Sequence, residues 1–188
     1  MTFSNKDNEF ELLQLVRKGD SSAMKEIYHR HIQYLTAVCA RYIIVEANMK
    51  DVLQESFIKI FTSIDKFEYR GVGSLRAWMS RIVVNESLKF LKNNERFDFI
   101  QNEWELPDVE SDENNTPDID DIPAQAIQEM IRQLPSGYRT VFNLFVFEDK
   151  SHKEIGAILN IKENTSASQL HKAKKMLAEK INEHKKTL

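Results

Sequence analysis

The residues best suited to a recognisable chemistry lie in the C-terminal segment 151–175, whose pattern is typical of a DNA-binding helix-turn-helix. Gly156 provides a small residue where two helices would cross, and apolar residues flank it on both sides. Asn160 can end the first helix, because asparagine tolerates a left-handed backbone better than most residues. Asn164 or Thr165 can then cap the second helix. The pattern favours DNA binding, and a structural helical hairpin is the alternative.

The second helix of this motif would present polar side chains to a major groove while its inner face packs on the rest of the domain. Leu170, Ala173 and Leu177 form that predicted inner face. The outward positions are Ala167, Ser168, Gln169, Lys172, Lys174 and Lys175. A solvated lysine face that contacts no DNA would show the same pattern.

A second constellation lies on a helix predicted over residues 51–64. Its apolar residues recur at helical spacing and form one stripe, made of Leu53, Phe57, Ile60, Phe61 and Ile64. Asp51, Gln54 and Glu55 lie outside that stripe. Ile58 projects among them when successive residues are placed about 100° apart. An apolar residue within a polar face suggests a protein partner, but single exposed aliphatic residues are also ordinary, so both interpretations stay open.

A third constellation combines a loop over residues 66–73 with a helix over about 74–94. One stripe of that helix carries an aromatic ring, an amide and several cations, namely Trp78, Arg81, Asn85, Lys92 and, at its edge, Lys89. Such a set suits single-stranded nucleic acid, because bases stack on rings while cations hold phosphates. Phe67, Tyr69 and Arg70 in the loop could extend this surface. For Trp78 a core position is the favoured alternative.

Helical periodicity on both sides of an acidic segment predicts an all-α fold with two small helical domains, over residues 8–95 and 124–185. The segment between them, residues 96–123, carries three prolines and is predicted to be an extended, flexible linker. Gly19 should stop the first helix, Asp20 or Ser21 should cap the second, and Ser74 should cap the fourth. The other expected helices cover residues 10–18, 20–42, 124–134, 136–147, 151–159 and 165–182.

The charges are distributed unevenly along a chain whose net charge is −3. Residues 101–123 hold nine acidic residues and no lysine or arginine, whereas nine lysines face four glutamates after Asp149. A basic segment is what contact with nucleic-acid phosphates requires. The net acidity of the whole chain therefore does not exclude DNA binding by its C-terminal part.

Composition and termini exclude several classes of protein. No apolar run approaches the roughly 18 residues of a membrane span, and the N-terminus lacks the pattern of a secretory signal. Cys39 is the single cysteine, which excludes an internal disulfide and a thiolate-rich zinc site. The five histidines show no metal-ligand spacing. We therefore expect a cytoplasmic protein with no cofactor, no metal and no small-molecule substrate.

Taken in order, these segments resemble those of the extracytoplasmic-function (ECF) sigma factors, the smallest members of the bacterial sigma-70 family. The matching stretches are GDSSAMKEIYHRHIQYL, DVLQESFIKIF, SLRAWMSRIVVNESLKFLK and LPSGYRTVFNLFVFEDKSHKEIGAIL with the helix-turn-helix. The resemblance implies a sigma factor, a non-enzymatic subunit that binds core RNA polymerase and recognises and melts promoter DNA. It allows an anti-sigma factor as a further partner.

The resemblance also implies roles for individual residues. Asp51, Gln54, Glu55 and Ile58 would dock on the clamp helices of the largest polymerase subunit. The loop and fourth helix would capture the downstream (minus-ten) promoter strand through Phe67, Tyr69, Arg70, Trp78, Arg81, Asn85, Lys89 and Lys92. The C-terminal domain would meet the flap of the second-largest subunit and read the upstream (minus-thirty-five) element. Its contacting residues would be Thr165, Ala167, Ser168, Gln169, Lys172 and Lys175.

The chain departs from the family pattern within the helix-turn-helix. Asn160 stands where glycine is usual, Gly156 where alanine is usual, and Ser166 where valine is usual. Ala167 and Gln169 replace residues that are often basic. These departures predict a modest upstream reader that acts only while the N-terminal domain holds polymerase.

Two other classes of function are consistent with parts of the sequence. A stand-alone helix-turn-helix regulator would bind duplex DNA without polymerase, as a dimer on paired half-sites. A metal-dependent nuclease would use linker carboxylates such as Asp120 and Asp121, but metal catalysis needs carboxylates that are held rigidly, and a proline-interrupted acidic run does not provide this.

Overall fold

The computed structural model describes residues 5–94 and 122–186, and all the regular structure within these ranges is helical. The chain divides into two compact units, Met1–Arg96 and Phe97–Leu188. The predicted all-α fold is confirmed. Residues 96–121 of the predicted linker lie outside the described residues.

The first unit contains four α-helices and one short 3-10 turn. The helices are α1 (Asn5–Arg17), α2 (Ser21–Ala40), α3 (Glu46–Ser63) and α4 (Ser74–Asn94), and the 3-10 turn covers Ile64–Lys66. The helix α3 begins five residues before its predicted start. Residues 46–50 lie outside the apolar stripe on which the prediction was based. An ion pair of 2.7 Å between Lys50 and Glu46 spans this added turn.

The predicted caps of the first unit are confirmed in one place and corrected in another. The Asp20 carboxylate accepts a hydrogen bond of 2.9 Å from the Ala23 N–H and so caps α2. Ser74 is instead the first residue of α4, and its hydroxyl donates backwards to the Gly71 carbonyl at 2.6 Å. The Ser74 side chain therefore closes the preceding loop.

The core of the first unit lies where α2, α3 and α4 pack on one another and α1 packs on α2. Four of the five apolar residues predicted on the α3 stripe are buried, and Phe61 is half-buried. The largest side chains that are fully buried in this unit are Leu13, Ile27, Leu35, Tyr42, Ile60, Leu75, Met79 and Leu91.

The second unit contains α5 (Ala124–Arg132), α6 (Ser136–Val146), α7 (His152–Leu159) and α8 (Glu163–Lys186). The long helix α8 packs on the other three. Its inner residues Ala173, Leu177 and Ile181 form a buried cluster with α5. Ile122 belongs to this cluster and is 7% exposed, although it was expected in a solvated linker. An isoleucine at the edge of an acidic run can bury its apolar side chain when a helix packs beside it.

A buried arginine closes the end of α5. Arg139 of α6 is 3% exposed, and its guanidinium donates to the carbonyls of Arg132 at 3.1 Å and Leu134 at 2.8 Å. Carbonyls at a helix C-terminus have no partners within the helix, so the guanidinium replaces the water that they would otherwise bind. Arg139 is thus a structural residue of the second unit.

Nothing in the described part of the chain is both long and apolar enough to cross a membrane as a helix. Within the same ranges, no cluster of His, Cys, Asp and Glu side chains is arranged to hold a metal ion.

Candidate protein and nucleic-acid interfaces

The helix α3 brings four residues of the predicted partner surface onto one exposed face. Asp51, Gln54, Glu55 and Ile58 are all exposed, and Ile58 is 51% exposed. Buried residues such as Leu53 and Ile60 hold the opposite side of the helix in the core. Because the helix is anchored by its inner face, this outer face can contact a partner without rearrangement of the fold.

The loop between the 3-10 turn and α4 is shaped by glycine and by one hydroxyl. Gly71 and Gly73 have φ values of 111° and 86°, a backbone region that side chains with a Cβ rarely adopt. The Ser74 hydroxyl also accepts a hydrogen bond of 3.2 Å from the Arg70 N–H. Tyr69 is partly exposed, and the exposed guanidinium of Arg70 pairs with Glu68 at 3.1 Å. Two of the three loop residues predicted to contact DNA therefore lie at the surface.

Phe67 is the exception, and its predicted surface role is corrected. It is 5% exposed, and its ring centroid lies 5.0 Å from that of Trp78. The Arg17 guanidinium of α1 donates a hydrogen bond to the Phe67 carbonyl. Phe67 is large and apolar and follows the 3-10 turn directly, so it packs inward and supports the partly exposed Trp78.

The stripe of α4 predicted to contact DNA is exposed along its length. Arg81, Asn85, Lys89 and Lys92 are all exposed, and Trp78 at the start of the stripe is half-buried. Trp78 is therefore only partly a core residue. One part of its ring packs on Phe67, and another part faces solvent.

A carboxylate that the sequence analysis missed lies beside this stripe. Glu86 is 8% exposed and accepts a hydrogen bond of 2.7 Å from Lys59 of α3, with Lys89 at 3.6 Å. Burial by itself would raise the pKa of Glu86, but the hydrogen bond and charge of Lys59, assisted by Lys89, hold that pKa below its ordinary value. The spacing to Lys89 was visible in the sequence, whereas the contact with α3 required the fold.

The helix-turn-helix forms largely as its residues predict. Ser151 caps α7 with a reciprocal capping box, in which its hydroxyl accepts from the Glu154 N–H and Glu154 accepts from the Ser151 N–H. Asn160 ends α7 with φ 57° and ψ 48°, the predicted left-handed conformation. A Cβ on Gly156 would lie 2.8 Å from the Ile161 carbonyl oxygen, which explains the need for a small residue at this crossing.

A polar contact joins the two helices of the motif. The His152 Nδ1 lies 3.0 Å from the hydroxyl of Ser166, which is fully buried in α8. The His152 ring also stacks on Phe145 of α6, with centroids 4.9 Å apart. Ser166 therefore gives the inner face a hydrogen bond where a larger apolar residue would give only packing.

The start of α8 differs from the prediction by two residues. The helix begins at Glu163, and the Ser166 N–H already donates to the Lys162 carbonyl at 3.1 Å. Asn164 and Thr165 therefore lie in its first turn rather than at its cap. The predicted inner residues Leu170, Ala173 and Leu177 are confirmed as buried.

The outward face of α8 needs one correction. Gln169 is 4% exposed, and neither of its amide atoms has a hydrogen-bond partner among the described residues. It lies three or four residues from Ser166 and Ala173, on the same buried stripe as Leu170. The outward position was predicted from its polar side chain and is wrong. The exposed surface instead includes His171, which the sequence analysis missed. Thr165, Ala167, Ser168 and Lys172 are partly exposed, and Lys175 is exposed.

Comparison with known families identifies both units of the chain. Residues 27–97 match the family profile Sigma-70 region 2, and residues 124–177 match Sigma-70, region 4. The two matches occur in this order along one chain and together include α3, α4 and the helix-turn-helix.

Individual relatives extend over nearly the whole chain. The ECF RNA polymerase sigma-E factor of Haemophilus influenzae is 28% identical over 181 residues, which cover 90% of this chain and 93% of that protein. The RNA polymerase sigma-H factor of Pseudomonas aeruginosa is 25% identical over 182 residues, which cover 91% of this chain and 92% of that protein. Among solved structures, CnrH in complex with the cytosolic domain of CnrY is 19% identical with a TM-score of 0.47, covering 91% of this chain and 95% of that one.

The two profile matches and the near full-length relatives agree with the order of segments in the sequence. The chain therefore belongs to the sigma-70 family, as an RNA polymerase sigma factor of the ECF group that binds core polymerase and promoter DNA and directs promoter-specific transcription initiation.

Proposed function

We propose that the exposed face of α3 docks on the clamp helices of the largest polymerase subunit. The observation that carries this proposal is Ile58, an isoleucine that is half exposed between the polar residues Asp51, Gln54 and Glu55. An apolar centre surrounded by polar side chains is the usual composition of a protein interface.

The loop before α4 and the exposed stripe of α4 then hold the downstream promoter strand. The residues that would contact it are Tyr69, Arg70, Trp78, Arg81, Asn85, Lys89 and Lys92. Their exposure supports this role, because rings and cations must both be reachable by an unstacked strand. Melting would be driven by the binding energy of that strand, so that no ATP or metal is required.

The helix α8 reads the upstream element, and the second unit meets the polymerase flap. The residues proposed to contact DNA are Thr165, Ala167, Ser168, Lys172 and Lys175, with His171 added and Gln169 removed on the ground of its burial. An anti-sigma factor that covers one of these surfaces would hold the protein inactive. The linker predicted over residues 96–123 would connect the two readers.

The test is transcription with purified core polymerase on a library of genomic fragments. Addition of the protein should produce initiation at a discrete set of start sites that share two spaced sequence elements. Core polymerase alone provides the background. Start sites that do not depend on the protein, or that share no such elements, would contradict the proposal that the two units recognise two promoter elements.

A further inference from the structure

The first helix contacts the promoter-facing loop at two points. The Phe10 ring of α1 lies 5.5 Å from the Tyr69 ring, centroid to centroid, with the planes tilted by 50°. The Arg17 guanidinium, at the other end of α1, donates to the Phe67 carbonyl at the start of the same loop. No motif of the sequence analysis includes Phe10 or Arg17, and the family profile for region 2 begins only at residue 27.

Phe10 remains 45% exposed after it packs on Tyr69. A phenylalanine that serves only the core would bury most of its surface, since each ring removes a large apolar area from water. Tyr69 is itself partly exposed. The two rings therefore form one apolar surface that is open to solvent.

The surroundings of this ring pair favour a nucleic-acid base as its occupant. Lys66 and Arg70 are exposed on either side of Tyr69 in the sequence, and exposed cations of this kind can bind phosphates. Arg70 pairs with Glu68, but both side chains are about 80% exposed, and ion pairs of that kind contribute little and can be exchanged. The ring pair is also continuous with the loop to which we assign strand capture.

We propose that Phe10 and Tyr69 together form a stacking surface for an unstacked base of the promoter strand, so that α1 completes the strand-capture site. The proposal rests on the function proposed above for the loop and extends it to a helix outside the family profile. Arg17 acts as a positioning residue, because its hydrogen bond holds the loop backbone against α1. The Ser74 hydroxyl fixes the other end of the loop.

The experiment measures the affinity of the holoenzyme, formed with core polymerase, for one fluorescein-labelled oligonucleotide. That probe is selected from a randomised single-stranded DNA library on the wild-type holoenzyme. Phe10→Ala should weaken binding by roughly five-fold or more, as expected for the loss of one base-stacking ring. Phe10→Trp should retain affinity, because every aromatic ring offers a face on which a base can stack.

Phe10→Leu separates stacking from simple packing. Leucine keeps apolar contact with Tyr69 but has no aromatic face, so this variant should lose affinity as Phe10→Ala does. The matched control is Leu15→Ala, since Leu15 lies on the same helix and is 44% exposed. The control should bind as the wild type does. Wild-type affinity of Phe10→Leu or of Phe10→Ala would overturn the proposal.

Three further measurements keep the outcome unambiguous. Thermal unfolding of each variant and its binding to core polymerase test whether the first unit remains folded. Tyr69→Ala tests the loop itself. If Tyr69→Ala weakens binding and Phe10→Leu does not, the inference about α1 fails and the proposed loop function stands. If Tyr69→Ala has no effect either, the loop is not the strand-capture site and both fail.

Discussion

Gly156 lies so close to the turn after its own helix that an added Cβ would approach the Ile161 carbonyl oxygen to 2.8 Å. Alanine normally stabilises a helix interior by up to about 1 kcal/mol relative to glycine. Here the backbone of the turn would have to move, and overpacking of this kind costs about 1–3 kcal/mol. We therefore expect Gly156→Ala to be destabilising in this chain.

Chemical unfolding of the full chain, followed by circular dichroism, would measure this effect. Ala157→Ser is the matched control, because Ala157 is the next residue along α7 and is exposed. The control should change the free energy of unfolding by a few tenths of a kcal/mol, as surface substitutions usually do. An equal or higher stability of Gly156→Ala would show that the turn can move without cost.

Glu86 should make the stability of the first unit depend on pH. Its pKa is lowered in the folded protein from an ordinary value of 4.5, because the Lys59 and Lys89 charges outweigh the effect of burial. A depressed pKa stabilises the fold above the ordinary value, and this contribution is lost as pH falls through the folded pKa. Glu86→Gln should therefore cost about 1 kcal/mol near neutral pH, a modest figure because Lys59 is 56% exposed.

The comparison that tests this is the difference in unfolding free energy between wild type and Glu86→Gln from pH 7 to pH 3. The difference should shrink below about pH 4.5, where the carboxyl is protonated first in the unfolded chain and, at lower pH, in the folded protein as well. Glu46→Gln is a control in an ion pair that is exposed on both sides, and it should have little effect at any pH. A difference for Glu86→Gln that does not change with pH would argue against the ion pair as its cause.

At the scale of the helix, the inner face of α3 packs in the core, and its outer face is the one that we propose to bind polymerase. Gln54→Ala combined with Ile58→Glu changes only exposed positions, so the fold should persist. A charge at the apolar centre of the proposed interface should weaken binding to core polymerase roughly thirtyfold, which corresponds to the roughly 2 kcal/mol typical of residues central to an interface.

Pull-down and fluorescence titration with core polymerase measure this binding. Lys50→Ala is the matched control, because Lys50 lies on α3 and is 72% exposed. Within the described residues it forms an ion pair with Glu46, which is exposed as well. It should bind polymerase normally. Unchanged binding of the double variant would remove this face from the docking surface.

The helix α8 carries a second prediction, which concerns salt. Lys172 is partly exposed beside Ser168 and His171, where a phosphate contact would release counterions. Lys172→Ala in the holoenzyme should lower the slope of log affinity for promoter DNA against log salt by about one. Lys180→Ala is the control on the same helix, because Lys180 donates to Gln133 at 2.9 Å and lies beyond the proposed contact surface. Equal slopes for wild type and Lys172→Ala would exclude the phosphate contact.

At the scale of the whole molecule, promoter binding should depend on polymerase. The two units carry separate surfaces that we propose to read DNA, and the proposed upstream reader offers few basic side chains at the start of α8. Joint engagement of two weak sites raises apparent affinity by roughly 10²- to 10⁴-fold without new contacts. The holoenzyme should therefore bind a selected promoter that much more tightly than the free protein does, as gel-shift titration would measure. Comparable affinities would favour a stand-alone reader.

Much of the fold could be predicted from residues that act over a few positions. The Asp20 cap, the left-handed Asn160 and the apolar stripe of α3 depend on contacts within about one turn, which a sequence displays directly. The predicted starts of α3 and α8 were less accurate, because the first residues of both helices lie outside the apolar stripes on which the predictions were based. The burial of Gln169 was missed for a related reason: its polar type outweighed its position on the inner stripe.

The sequence by itself therefore determined the helices, the Asp20 cap of α2, the Asn160 end of α7 and the order of segments that identifies a sigma factor. The tertiary structure alone decided which residues far apart in the chain meet. Lys59 and Glu86 are 27 positions apart, and Arg17 and Phe67 are 50 apart. Such contacts depend on how helices pack, and no periodicity within one helix encodes them. For this reason Phe67 proved to be a core residue, while Phe10, which belongs to no motif, lies against the loop proposed to capture DNA.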